Sequence, residues 1–153
     1  MDAYEGFLER YQSGQLPWDD SLPPPEIMAI AELLPPGRML DIGCGYGRTA
    51  IYMSQKGWQA TGIDYVPLAI EKARERAKNL NVIVDFRNES AIDMPFLEGP
   101  FDLAVDVGCM HSFSDEERLR HIDELGRLLA PGATYMLFVH IRDENDENPP
   151  GRN

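Results

Sequence analysis

Cysteine is scarce: there are two, Cys44 and Cys109, in 153 residues. Two cysteines do not make a disulfide framework. With three scattered histidines they match no zinc-site spacing, so no metal is expected. Basic residues are also few. Lys and Arg number 14 against 26 Asp and Glu, a formal net charge of −12. An acidic surface repels phosphate backbones, which disfavours nucleic acid as a partner. No apolar run approaches the ~20 residues of a transmembrane helix, so no membrane association is expected. The start, Met1-Asp2-Ala3-Tyr4-Glu5, lacks the basic and apolar regions of a signal peptide. These absences predict a reduced, cytoplasmic protein. What is present is a hydrophobic fraction of 43% and a length suited to one domain.

Along the chain, residues 1–25 read as an irregular-to-helical arm, rich in aromatic and polar residues from Tyr11 to Trp18. Ile27, Ile30, Ala31 and Leu34 then fall at helical spacing, closed by Pro35-Pro36-Gly37. The pattern next becomes regular. Strands are predicted at 38–42, 59–63, 82–86, 101–107 and 133–141. Helices are predicted at 49–55, 67–79 and from the Ser114 N-cap to about Leu129. Pro67 suits the first turn of its helix, and Ser114 with Glu117 makes a capping box. Pro131-Gly132 is expected to break the last helix. Strands alternating with helices mean right-handed βαβ units and a mostly parallel sheet. Residues 142–153 are polar and read as a flexible tail.

Between the first strand and its helix lies Asp41-Ile42-Gly43-Cys44-Gly45-Tyr46-Gly47-Arg48. In an open α/β sheet, ligands bind at the carboxyl ends of the strands, where this loop sits. Glycines at alternate positions let the backbone turn sharply and approach a ligand closely. The following helix offers its N-terminal N–H groups to an anionic group. A dinucleotide fingerprint needs G-x-G-x-x-G, and Arg48 stands at its last position, so that reading fails. The Walker pattern is absent too.

This loop resembles motif I of class I S-adenosylmethionine-dependent methyltransferases. Further stretches extend the resemblance over roughly residues 26–140: Gly62-Ile63-Asp64, then Asp93-Met94-Pro95-Phe96 with Phe101-Asp102-Leu103-Ala104, then Arg127 to Ala133. The resemblance implies a Rossmann-like three-layer α/β sandwich, a mostly parallel sheet of strand order 3-2-1-4-5, and S-adenosyl-L-methionine as cofactor, with S-adenosyl-L-homocysteine as product. Five strands are counted where the family has seven, so the family's C-terminal hairpin is expected to be missing. The fifth strand would then be an edge, which predicts a homodimer paired through it.

The implied roles follow position by position. Gly43, Cys44, Gly45 and Gly47 lie along the methionine part of the cofactor, and Asp41 orients that loop. Asp64 accepts both ribose hydroxyls, and Tyr65 covers the adenine. Where the family places an acid for the adenine amino group stands Ser90, followed by Ala91; Ser90, the Ala91 backbone or Glu89 remain alternatives for that contact. Asp106 to His111 resembles a variant found in tellurite-resistance and thiopurine-type small-molecule methyltransferases. This variant points to Asp106 beside the cofactor and to His111 as the catalytic base, an imidazole titrating near neutrality (pKa ≈ 6.5). Those relatives carry a Pro-Trp-Asp like Pro17-Trp18-Asp19, which places Trp18 near the methionine end and makes the arm a lid. The expected activity is methyl transfer to a small molecule. A protein acceptor, or a cofactor-binding module without catalysis, are the alternatives.

Overall fold

The computed structural model describes residues 3–14 and 21–139. The elements run α1 (Ala3–Ser13), α2 (Pro25–Leu33), β1 (Arg38–Ile42), α3 (Arg48–Gln55), β2 (Gln59–Asp64), α4 (Pro67–Asn79), β3 (Asp85–Asn88) and β4 (Phe101–Val107). A 3-10 turn (Met110–Ser112), α5 (Asp115–Leu128) and β5 (Leu129–Phe138) complete the order. The five strands form one sheet in the order β3-β2-β1-β4-β5, and every pairing is parallel. This is the expected order.

A parallel sheet covered on both faces needs apolar side chains on both, and the strands supply them by alternation. Met39, Leu103 and Val105 point to one face, where they meet Ile27 of α2, Ile51 and Met53 of α3, and Ile70 and Ala73 of α4. Leu40, Ile42, Ile63 and Ala104 point to the other, against Leu125 and Leu128 of α5 and the segment holding Met94 and Leu97. Leu40 and Leu103 have no exposed surface; truncating either to Ala costs about 2–5 kcal/mol. The register at β1 is short and unambiguous: Asp41 lies opposite Gly62 and Val105, and Ile42 opposite Ile63 and Asp106. It brings the ends of β1, β2 and β4 together.

Two boundaries differ from the expected ones. β3 begins at Asp85, not Val82. The chain leaves α4 through Asn81 at φ 54, and the Val82 N–H bonds the Ala77 carbonyl. Pairing with β2 starts only at Thr61 opposite Asp85. β5 begins four residues early, at Leu129, because Pro131-Gly132 does not separate helix from strand. It forms an irregularity inside the strand: Leu129 pairs with Phe101, and the next pair is Thr134 with Leu103. The α5 capping box forms as read, with Ser114 Oγ accepting from the Glu117 N–H and Glu117 Oε2 accepting from the Ser114 N–H.

Candidate active site

The turn after β1 is built on left-handed backbone. Gly43 has φ 66, and a side chain there would put its Cβ 2.9 Å from that of Cys109. Gly47, at φ 83, caps α3, and a Cβ would run into the Phe86 ring. Any other residue at these two positions carries backbone strain as well as a clash. The Cys44 N–H bonds the Ile63 carbonyl at 2.8 Å, which fixes the turn to β2. The Cys44 side chain is buried, and its sulfur lies behind Gly62. Only its main chain remains for a ligand.

Three buried carboxylates stand at the ends of adjacent strands. Asp41 (β1) accepts the Ala50 N–H at 3.2 Å and so ties strand to helix. Burial pushes its pKa up to about 8, assisted by the charges of Asp106 and Asp64. Asp64 (β2) accepts three hydrogen bonds: Oδ1 from the Val66 N–H at 2.9 Å, Oδ2 from the Gly45 N–H at 3.0 Å and from the Tyr11 hydroxyl at 3.3 Å. Asp106 (β4) has no exposed surface. Its carboxylate accepts the N–H groups of Cys109 at 2.7 Å and Met110 at 3.2 Å, and the Tyr135 hydroxyl at 3.3 Å. Burial raises the pKa of both Asp64 and Asp106, against the opposing pull of these donors. Burial disfavours the charged form of all three acids, and a ligand carrying positive charge would offset that cost.

The turn expected to meet an adenine follows β3. The Asn88 amide and the Glu89 N–H both donate to the Asp64 carbonyl. The Ser90 hydroxyl accepts the Ile92 N–H at 3.2 Å and keeps its own O–H. Glu89 is directed to Arg87, at 3.9 Å. Tyr65, expected over an adenine, is met edge-on by Tyr4 and Phe7 of α1, with ring centroids 5.2 and 6.2 Å away. His111 is exposed and lies on the 3-10 turn, its Cε1 over Gly108. Asp106 holds that turn through the Cys109 and Met110 amides. It therefore acts on His111 through the loop and offers no surface of its own to an acceptor. Trp18 lies outside the described residues.

The sequence reading missed three residues. Tyr11 is buried and bonded to Asp64. His121, fully buried on α5, bonds the Ala91 carbonyl through Nδ1 at 2.7 Å. A carbonyl only accepts, so Nδ1 carries the proton, and Nε2 faces the Tyr135 hydroxyl at 3.5 Å. His121 and Tyr135 thus join the turn after β3 to the Asp106 loop. The signal for His121 was its spacing with Leu125 and Leu128 on the inner face of α5. Nothing in the sequence singles out Tyr135.

The family described as "Methyltransferase domain" matches residues 39–132. The chain is 32% identical over 141 residues to 2-heptyl-1-hydroxyquinolin-4(1H)-one methyltransferase of Mycobacteroides abscessus, covering 90% of this chain and 61% of that protein. Among solved structures it is similar to one described as "Conversion of a Disulfide Bond into a Thioacetal Group during Echinomycin Biosynthesis", with TM-score 0.79 and 31% identity over 86% of this chain and 58% of that one. It is also similar to a SAM-dependent methyltransferase from Thiobacillus denitrificans in complex with S-adenosyl-L-homocysteine, with TM-score 0.67 and 26% identity over 88% and 55% of the two chains. The chain therefore spans little more than half the length of these proteins.

Proposed function

Since the chain belongs to the class I S-adenosylmethionine-dependent methyltransferases, we propose that it transfers the cofactor's methyl group to a small-molecule acceptor, with residues 26–141 as the catalytic domain and 1–25 as its lid. The observation that carries this reading is Asp64, a buried carboxylate at the end of β2 whose Oδ2 accepts the Gly45 amide of the glycine turn. A carboxylate beside that turn matches the vicinal diol of a ribose. Asp41 and Asp106, at the neighbouring strand ends, shape the site through the backbone they hold: the start of α3 and the turn after β4. The small-molecule acceptor rests on the quinolone named in its relative from Mycobacteroides abscessus.

S-adenosylmethionine supplies a methyl already activated on sulfur, so the protein's work is alignment, exclusion of water and handling of a proton. The glycine turn and Asp41 set where the methionine part lies. Asp64 fixes the ribose, and Ser90 with the Ala91 main chain meets the adenine. Asp106 and Tyr135 hold the turn that presents His111, which accepts the acceptor's proton where one is lost. A thiol or other soft anion needs little such help, and His111 then positions it.

Calorimetric titration with S-adenosylhomocysteine, with NADH as control, tests the reading. Micromolar binding of the first alone is expected, and its absence overturns the cofactor assignment. β5 is the last strand of the sheet among the described residues, and its outer edge is the surface proposed for self-association; a purely monomeric boundary in sedimentation at high concentration removes it.

A further inference from the structure

The cofactor reading gives Asp64 two ribose hydroxyls to accept, and the following inference rests on that reading. A carboxylate offers about four lone-pair positions. The Val66 amide takes one, and the Gly45 amide and the Tyr11 hydroxyl take two more. A vicinal diol brings two further donors, so five would compete for four places. One present partner has to leave. The Val66 and Gly45 amides are fixed: Val66 adjoins the first turn of α4, and Gly45 lies in the turn anchored by the Cys44–Ile63 bond. The Tyr11 bond is the longest of the three, at 3.3 Å, and comes from a separate helix.

α1 is the element best able to yield. It belongs to neither layer of the main core. It packs through Tyr4, Phe7, Leu8 and Tyr11 onto a small satellite cluster with Tyr46, Val66, Leu68 and Ala69. Tyr11 and Tyr46 lie ring against ring at 5.3 Å, and the Tyr46 hydroxyl donates to the Tyr11 carbonyl at 3.2 Å. The arm is therefore held by residues on both sides of the cofactor site: Tyr46 of the glycine turn and Tyr65 beside Asp64. An element with its own small cluster opens at lower cost than the sheet beneath it.

We propose that the Tyr11 hydroxyl stands in for a ribose hydroxyl on Asp64, and that cofactor binding exchanges one for the other. α1 thereby sets the affinity of the site: each binding event breaks the Tyr11–Asp64 bond and shifts the arm from the ribose edge. The shape of the arm's packing is left intact by Tyr11→Phe, which removes only the competing donor.

The test is calorimetric titration of the wild type and Tyr11→Phe with S-adenosylhomocysteine, joined to thermal unfolding of both with and without that ligand. Tyr11→Phe is expected to bind roughly 3- to 10-fold more tightly, the net worth of one ordinary hydrogen bond, in keeping with a contact as long as 3.3 Å. It is also expected to melt lower than the wild type without ligand, and the gap is expected to close at saturation. A purely structural role for Tyr11 leaves the gap open. Equal or weaker binding by Tyr11→Phe overturns the exchange, because Tyr11 then stays on Asp64 or orients it for the ligand. Binding to neither protein overturns the cofactor reading and the exchange with it. Binding to Tyr11→Phe alone supports both.

Discussion

The two ends of the sheet carry charge in opposite ways. At the carboxyl end, Asp41, Asp64 and Asp106 are buried and are held by backbone amides and tyrosine hydroxyls. At the amino end, charge is at the surface and paired. The Arg38 guanidinium donates to the carbonyls of Pro100 and Glu98, its main-chain N–H donates to Asp102, and Lys56, before β2, pairs with Glu32 at 3.6 Å. A cavity of about 500 Å³ opens there, lined by Arg38, Trp58, Asp85, Arg87 and Phe101 among others. Arg38 and Arg87 on its wall are taken up by main-chain oxygens and by Asp85. Buried acids facing one another are costly to keep. A fold tolerates them where a ligand offsets the cost. The end that bears this cost is the one the proposed function uses.

The largest effect expected at the carboxyl end is on binding. Asp64→Ala removes the two hydrogen bonds proposed to the ribose, each worth about 1.5–3 kcal/mol to a charged group. Affinity for S-adenosylhomocysteine should fall by about a hundredfold or more, measured by calorimetry; unchanged affinity breaks the comparison. Next comes the pH dependence of stability. Asp41 has a folded pKa of about 8, above that of an unfolded Asp. Between about pH 4 and 8 the folded form holds a proton that the unfolded form has lost. Stability therefore falls as pH rises, by up to about 1.4 kcal/mol per unit. Thermal melts of the unliganded protein should drop from pH 5 to 8, and Asp41→Asn, which keeps an acceptor for the Ala50 N–H, should flatten that slope.

A smaller loss is expected at the junction between the two site loops. His121→Leu leaves the Ala91 carbonyl without its donor, costing about 1–3 kcal/mol in denaturant unfolding. His111→Ala, at an exposed position, should leave both stability and cofactor affinity unchanged and lower turnover alone, as read by methyl-transfer kinetics. The smallest effect belongs to the amino end. Arg38→Met should cost about 1 kcal/mol or less and leave cofactor binding untouched. A loss of binding there would show that the two ends are coupled through the sheet.

Sequence legibility divided the site along the same physical line. Gly43, Gly47 and Asp64 were readable because their roles are local: a left-handed turn, or an acid at a strand end, is written within a few residues. Ser90 was readable as a departure, and the structure shows why it suffices for the turn: its hydroxyl closes the loop on Ile92. Tyr11, His121 and Tyr135 were not readable as site residues. Their partners lie 53, 30 and 29 residues away. No periodicity within one element says which distant loop a buried tyrosine or histidine will meet. The β3 and β5 boundaries were missed for a related reason. Val82, Ile83 and Val84 are β-branched and favour a strand, but pairing is decided by where β2 offers its edge.

The sequence by itself determined the alternation of strands and helices, the two-faced apolar pattern of the sheet, the capping box of α5 and the glycine turn. These depend on side-chain period and on backbone angles that few residues adopt. The tertiary structure alone decided that three carboxylates share one edge, that Asp106 serves its loop from within, and that α1 bonds to Asp64. Each of these is a meeting of groups distant in the chain. Only burial sets their charge, and only packing chooses their partners.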